Sequence, residues 1–326
     1  MQLPPSRGPL TQWLFGHLTG RSAGSPPPVV TSGEPWADDD LQLALWCCYE
    51  LHYRGFDGID DAAEWDLEVL AFRAELEKPW VEWLTGEFHP TVADGKPSQL
   101  LKELIDSDDG PSLAAYLQRH ADTAEFREFI LNRSVYQLKE ADPHSFGIPR
   151  LDGAAKTALV EIQSDEYGGG RPERMHAELF RSTMSWLGLD LTYGRYVPDV
   201  PAVTLAISNA MSLFALHRRW VGALIGHLAA LEMTSTLPNR RYAGGAERLG
   251  ATPAAARYFT EHVEADAVHE QIAAHDLCDS YANDHPEAVA DILFGAACSL
   301  GLDNLFAQQL LGRWEADRTA LSRTAS

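Results

Sequence analysis

Cysteine is scarce in this 326-residue chain, and it is not placed for cross-linking. Cys47 and Cys48 adjoin, Cys278 and Cys298 lie far away, and no CxxC spacing occurs. That excludes a cysteine zinc site and a disulfide framework, and the thiols read as reduced, buried side chains of a cytoplasmic protein. Long apolar runs are missing as well. The nearest candidate, 220–233, carries His227 and Glu232 and follows Arg218 and Arg219, so it reads as a buried helix. The first twenty residues lack the continuous apolar stretch of a signal peptide. Positive charge is in deficit: 26 Lys and Arg face 47 Asp and Glu, a net charge of −21. Such a chain repels phosphate backbones and anionic lipid, which excludes nucleic acid and membrane surfaces as partners. There is no GxGxxG after a strand, no GxxxxGK[ST] and no GxSxG elbow. HExxH is absent too, because Ala273 stands where its second histidine would be.

What the chain does have is helical periodicity, and few runs alternate with period two. A short helical patch near 10–18 precedes the proline-rich stretch 22–35, which reads as a linker or arm. Helices are expected over 41–53 and over 62–84, the second bent at Pro79. A further helix starts at Asp122, where Glu125 completes a capping box, and stops before Pro143. Then come 152–167, a GGGRP bend, 173–189, one very long helix from 201 to about 233, 253–281, and a last helical part from 286. The fold class is therefore all-α, with nine to eleven helices and no sheet. Gly222 and Gly226 form a GxxxG that favours close helix packing.

The segment EHVEADAVHE, 261–270, divides on a helix. At ~100° per residue, His262, Asp266 and His269 share a narrow stripe, while Glu264 falls near the opposite side. Two imidazoles and a carboxylate converging in this way suit Fe, Mn or Zn. A second cluster, DEYGGGRPERMH (165–176), carries Glu173 and His176 at the i, i+3 spacing of helical di-metal carboxylate proteins. Glu166 lies seven residues before Glu173, on nearly the same face if the helix continues. Glu140 is a third contribution; a carboxylate in a last helical turn opposes the helix dipole. The bland reading of each carboxylate is a solvated or salt-bridged surface residue. Asn209 and Glu232 read as residues that orient ligands by hydrogen bonding. His144, His217 and His227 read as core or surface histidines.

Together these motifs resemble the haem-oxygenase-like diiron oxidases and oxygenases, over about residues 120–280. The family's pattern has one Glu on a first core helix, Glu with a further Glu and His on a second, and His-x-x-x-Asp-x-x-His on a third. EYGGGRPERMH and HVEADAVH carry the resemblance. It implies a haem-oxygenase-like helical bundle over 116–326, with 36–115 as an accessory helical region packed on it and 1–35 as a helical patch and arm. It implies metal ligation by Glu140, Glu166, Glu173, His176, His262, Asp266 and His269. The cofactors would be two iron ions with O2 as co-substrate and no haem. The implied activity is oxidation of a small organic substrate, foremost N-oxygenation of an amine or amino acid, with Glu173 as the catalytic residue. The alternatives are desaturation, oxidative C–C cleavage, or a non-catalytic metal- or haem-handling protein. An external electron donor and a homodimer are the partners the resemblance allows.

Overall fold

In a computed structural model, residues 1–21, 24–30, 33–91 and 93–322 are described, without the side chains of 264–267. The described residues form fourteen α-helices and no strand. They are α1 (Pro9–Leu18), α2 (Asp39–Glu50), α3 (Leu67–Glu87), α4 (Pro97–Asp106), α5 (Leu113–Arg119), α6 (Thr123–Gln137) and α7 (Asp142–Ser145). There follow α8 (Gly153–Glu166), α9 (His176–Trp186), α10 (Ala202–Leu216), α11 (Val221–Arg248), α12 (Pro253–Gln271), α13 (Ser280–Asp284) and α14 (Val289–Glu315).

The start of α6 is capped as its sequence predicts. The Asp122 carboxylate accepts from the Glu125 N–H at 2.9 Å, and Glu125 accepts from the Asp122 N–H at 3.0 Å. The GxxxG also does what its composition suggests. A β-carbon on Gly226 would stand 1.9 Å from the Ile292 carbonyl oxygen, and one on Gly295 would stand 1.9 Å from that of Ala223. Backbone therefore meets backbone where α11 crosses α14. The segment Pro286–Glu315 is apolar and long enough to cross a membrane by composition alone, but half of its most apolar window is buried inside the bundle.

The single long helix expected over 201–233 is instead two. His217 is extended (φ −104°, ψ 113°), and a 3₁₀ turn at Arg218–Trp220 leads into α11. The reason comes from outside the segment: the Arg150 guanidinium donates to the Ala215 and Leu216 carbonyls, which a continuing helix would have used itself. Beyond the break α11 runs through Pro238 to Arg248, well past the expected end. Asn209 takes no part in the site; its amide donates to the Gln42 carbonyl at 2.8 Å and side-chain oxygen at 2.7 Å, tying α10 to α2. After α12 the chain widens into a π-helical stretch, Ile272–Asp279, before α13. Such stretches are rare and occur frequently beside functional sites.

Candidate metal centre

The chain between α8 and α9 turns on three glycines. Gly168, Gly169 and Gly170 have φ of 70°, 58° and 78°, which residues with a side chain seldom adopt. At Gly168 a β-carbon would also stand 2.7 Å from the Arg174 carbonyl carbon. This turn reverses the chain, so Glu166 at the end of α8 meets His176 at the start of α9. The Glu166 Oε2–His176 Nδ1 distance is 2.9 Å, and both side chains are buried.

Pro172 and the extended Met175 (ψ 134°) delay the start of α9 until His176. Glu173 thus sits in a 3₁₀ turn, exposed and outside the buried cluster. The i, i+3 spacing that suggested a shared helical face does not operate, because 173 and 176 are not on one helix.

Two groups of donors form. Glu140, His176 and His262 have ligand atoms within 4.8 Å of one another, and so do Glu166, Glu232 and His269. Glu140 comes from the turn after α6, Glu166 from α8, His176 from α9, Glu232 from α11, and His262 and His269 from α12. The structure therefore brings five of the seven expected residues to one place and leaves Glu173 out. Asp266 lies on the α12 backbone between the two histidines, and its side chain is outside the described residues. Glu232 joins the centre itself rather than standing behind it. Its only sequence signal was a carboxylate in an otherwise apolar helix.

The surroundings orient these donors. His262 Nδ1 lies 2.8 Å from the Tyr258 carbonyl, so it donates there and leaves Nε2 as a free lone pair towards Glu140 Oε2, 4.0 Å away. His269 Nε2 faces Asp165 at 3.1 Å while its Nδ1 faces Glu232 at 3.4 Å. That is the carboxylate–imidazole–metal arrangement in which one nitrogen is held so that the other can ligate. The Tyr258 hydroxyl donates to Glu140 at 3.0 Å, and the Gln137 amide lies between Tyr136, Tyr258 and Glu140.

Electrostatics show what the cluster needs. Burial, and then the Glu166 charge, hold the Glu140 carboxyl well above its ordinary range. Burial likewise raises Glu232. Glu166 goes the other way: burial would raise it, but His176 draws it down to about 2. Burial would lower His176, yet Glu166 lifts it to about 9. His262 is pushed down to about 4 by burial and by His176. Among the described residues, three carboxylates crowded together are compensated by imidazolium and the Tyr258 hydroxyl, and metal cations would compensate them better. The geometry agrees. Glu166 Oε2, His176 Nδ1 and His269 Nδ1 are buried and make no well-aligned hydrogen bond, although they approach one another closely. Donors that converge without hydrogen-bond alignment fit a shared metal.

The centre opens onto a cavity of about 640 Å³. Glu140, Glu166, Glu232, Tyr258 and His262 line it, and so do Arg133, Tyr242 and Asp303. This volume suits a small organic molecule.

A bundle that gathers carboxylates and imidazoles from five segments beside one cavity has the donor set of a helical, metal-binding enzyme. The chain belongs to the family of iron-containing redox enzymes, whose pattern matches residues 127–304. It is similar to a nitrosourea synthase of Streptomyces achromogenes subsp. streptozoticus, 23% identical over 152 residues. That match covers 47% of this chain and 32% of the relative, so the chain spans about a third of the curated relative's length. Its fold resembles a solved domain of unknown function from Shewanella denitrificans with a heme oxygenase-like fold. The TM-score is 0.52 at 14% identity, covering 71% of this chain and 95% of that one.

Proposed function

We propose that this chain is an O2-dependent non-haem diiron oxygenase that oxidises nitrogen in a small amine or amino acid. The observation that carries the reading is the pair of adjacent donor groups, Glu140–His176–His262, of which Glu140 is half-buried, and the buried Glu166–Glu232–His269. Each supplies the mixed carboxylate and imidazole set that suits iron, and Glu166 and His176 lie close enough to link the two. Asp266, one helical turn from each α12 histidine, is a further proposed ligand. Iron would supply the redox power towards dioxygen.

The protein's own part is separate. Asp165 and the Tyr258 carbonyl fix the imidazole orientations. The Tyr258 hydroxyl holds Glu140. Oxidising RNH2 with O2 to RNHOH and H2O takes two further electrons and two protons, so an external electron donor is part of the proposal. The nitrosourea synthase likeness supports nitrogen as the site of oxidation, since an N-nitroso product contains oxidised nitrogen.

The test is anaerobic loading with ferrous iron, then O2 exposure with a panel of amines and amino acids read by mass spectrometry. Two irons per chain and a product 16 mass units heavier, retaining oxygen on nitrogen, are the expected result. Binding of one iron or fewer, or oxidation only at carbon, overturns the reading.

A further inference from the structure

The chain carries 47 acidic against 26 basic side chains, yet three arginines gather at the break between α10 and α11. Arg218 and Arg219 stand exposed in its 3₁₀ turn, and half-buried Arg150 reaches it from the turn before α8. Arg150 donates to the Ala215 and Leu216 carbonyls, and the Arg219 guanidinium lies 5.2 Å from the centre of the Trp220 ring. Among the described residues none of the three pairs with a carboxylate. Burial, and then the Arg218 charge, lower the Arg150 pKa, and no carboxylate opposes them. Asp291, the carboxylate beside Gly222, is raised by burial alone, so it does not neutralise the patch.

Beneath the patch runs a file of packed rings. Half-buried Trp220 lies 6.1 Å from Phe214, Phe214 lies 6.3 Å from His227, and His227 lies 5.6 Å from His144, centre to centre. Phe214, His227 and His144 are buried, and His144 hydrogen-bonds the backbone of Glu140. The rings thus join the surface at Arg219 to the metal centre. The three arginines, Trp220, Phe214 and His227 all lie off the cavity lining, so this approach is separate from that of a small substrate. Electron tunnelling falls off less steeply through packed side chains than across a gap, and a file of this kind favours it.

We propose that Arg150, Arg218 and Arg219 form the docking surface of an acidic one-electron carrier protein, whose electrons enter at Trp220. This rests on the reading of the chain as an O2-dependent oxygenase that needs an external donor. Two dockings serve one turnover. Each reduced carrier gives up one electron and leaves oxidised, and the two electrons, with two protons from solvent, complete the conversion of RNH2 and O2 to RNHOH and H2O. The arginines attract such a partner, while the net charge of −21 repels it elsewhere and confines it to the patch. Redox encounters bury little surface and are weak, which suits a contact of three arginines and one indole.

The probe is an acidic [2Fe–2S] ferredoxin, and its binding to the full chain is measured by calorimetry at low and high salt. It should bind at low salt, ten-fold or more weakly at high salt, and ten-fold or more weakly in the double variant Arg218→Gln with Arg219→Gln. Both residues are exposed, so the thermal midpoint should stay unchanged. The same loss of two charges at exposed Lys78 and Lys102, as Lys78→Gln with Lys102→Gln, should leave the affinity within two-fold. Reduced ferredoxin is then mixed anaerobically with the ferric-loaded protein and its visible absorption followed. The arginine variant should oxidise it ten-fold or more slowly than the wild type, while dithionite, which needs no docking, should reduce both proteins at one rate. No ferredoxin binding by the wild type, an equal loss in the lysine control, or an unchanged rate in the arginine variant overturns the assignment. Failure of the diiron reading would show separately, as iron below two per chain with ferredoxin binding intact.

Discussion

Lys139 and Glu50 form an ion pair that solvent does not reach: Nζ and Oε2 are 3.1 Å apart, and the two side chains are 1% and 0% exposed. The pair joins α2 to the residue immediately before Glu140. Tyr193 donates to the same Glu50 oxygen at 2.7 Å, and the Lys139 ammonium lies 4.2 Å from the Tyr53 ring centre.

Removing one partner of such a pair strands the other charge, which typically costs about 3–5 kcal/mol. Lys139→Met should therefore lower the urea midpoint sharply. The double variant Lys139→Met with Glu50→Gln should recover much of the loss. Equal midpoints for wild type and Lys139→Met would show that the pair contributes nothing to stability.

Glu232 and Glu173 make opposite predictions. Glu232 faces His269 in the buried centre, whereas Glu173 lies exposed in the 172–174 turn. Glu232→Gln should reduce bound iron towards one per chain, and Glu173→Gln should leave it at two. Iron assay after gel filtration separates them, and the reverse pattern would move the second ligand set to Glu173.

His144 and His227 lie 5.6 Å apart, ring to ring, in the core beside the cavity. Burial pushes His144 down to about 4 and His227 well below its ordinary value. Their unfolded-state pKa is about 6.5, so below that pH the unfolded chain binds protons that the folded chain refuses. The stability they permit is complete above pH 6.5 and is lost as pH falls towards 4. Between pH 7.5 and 5 the loss for His144 alone is roughly 2 kcal/mol. His227→Leu should flatten this slope in denaturant titrations at the two pH values; an unchanged slope would remove the pair from the account.

At the α11–α14 crossing, Gly226→Ala must push backbone from backbone, since its new β-carbon would meet the Ile292 carbonyl. Overpacking of this kind costs ~1–3 kcal/mol. Gly312→Ala, further along α14 with open space around it, is the control and should not destabilise. A thermal melt of both variants decides the matter.

Much of this was legible in sequence wherever a local rule carried the information. The Asp122–Glu125 box, the GxxxG contact and the glycine bend are short-range patterns, and the structure contains each of them. The α12 histidines and Glu140, Glu166 and His176 could be picked out because imidazole and carboxylate recur at helical spacing. What escaped depended on distant partners. The break at His217 is made by Arg150, sixty-odd residues earlier in the chain. Glu232 reads as a supporting residue until α8 and α12 are seen to close on it. Glu173 stands apart from His176 because the helix expected from 173 begins only at 176, after a 3₁₀ turn and the extended Met175.

The three glycines at 168–170 exclude side chains for different reasons. Around Gly169 and Gly170 there is open space, so handedness alone keeps larger residues out, and Asn or Asp could stand there at modest cost. Gly168 is barred by handedness and by the Arg174 backbone together. A related chain can therefore drift at the second and third positions and still return its histidine to its glutamate. One without glycine at the first has lost the fold-back itself. That single position is then a practical marker for sorting relatives that can build this centre from those that share only its helices.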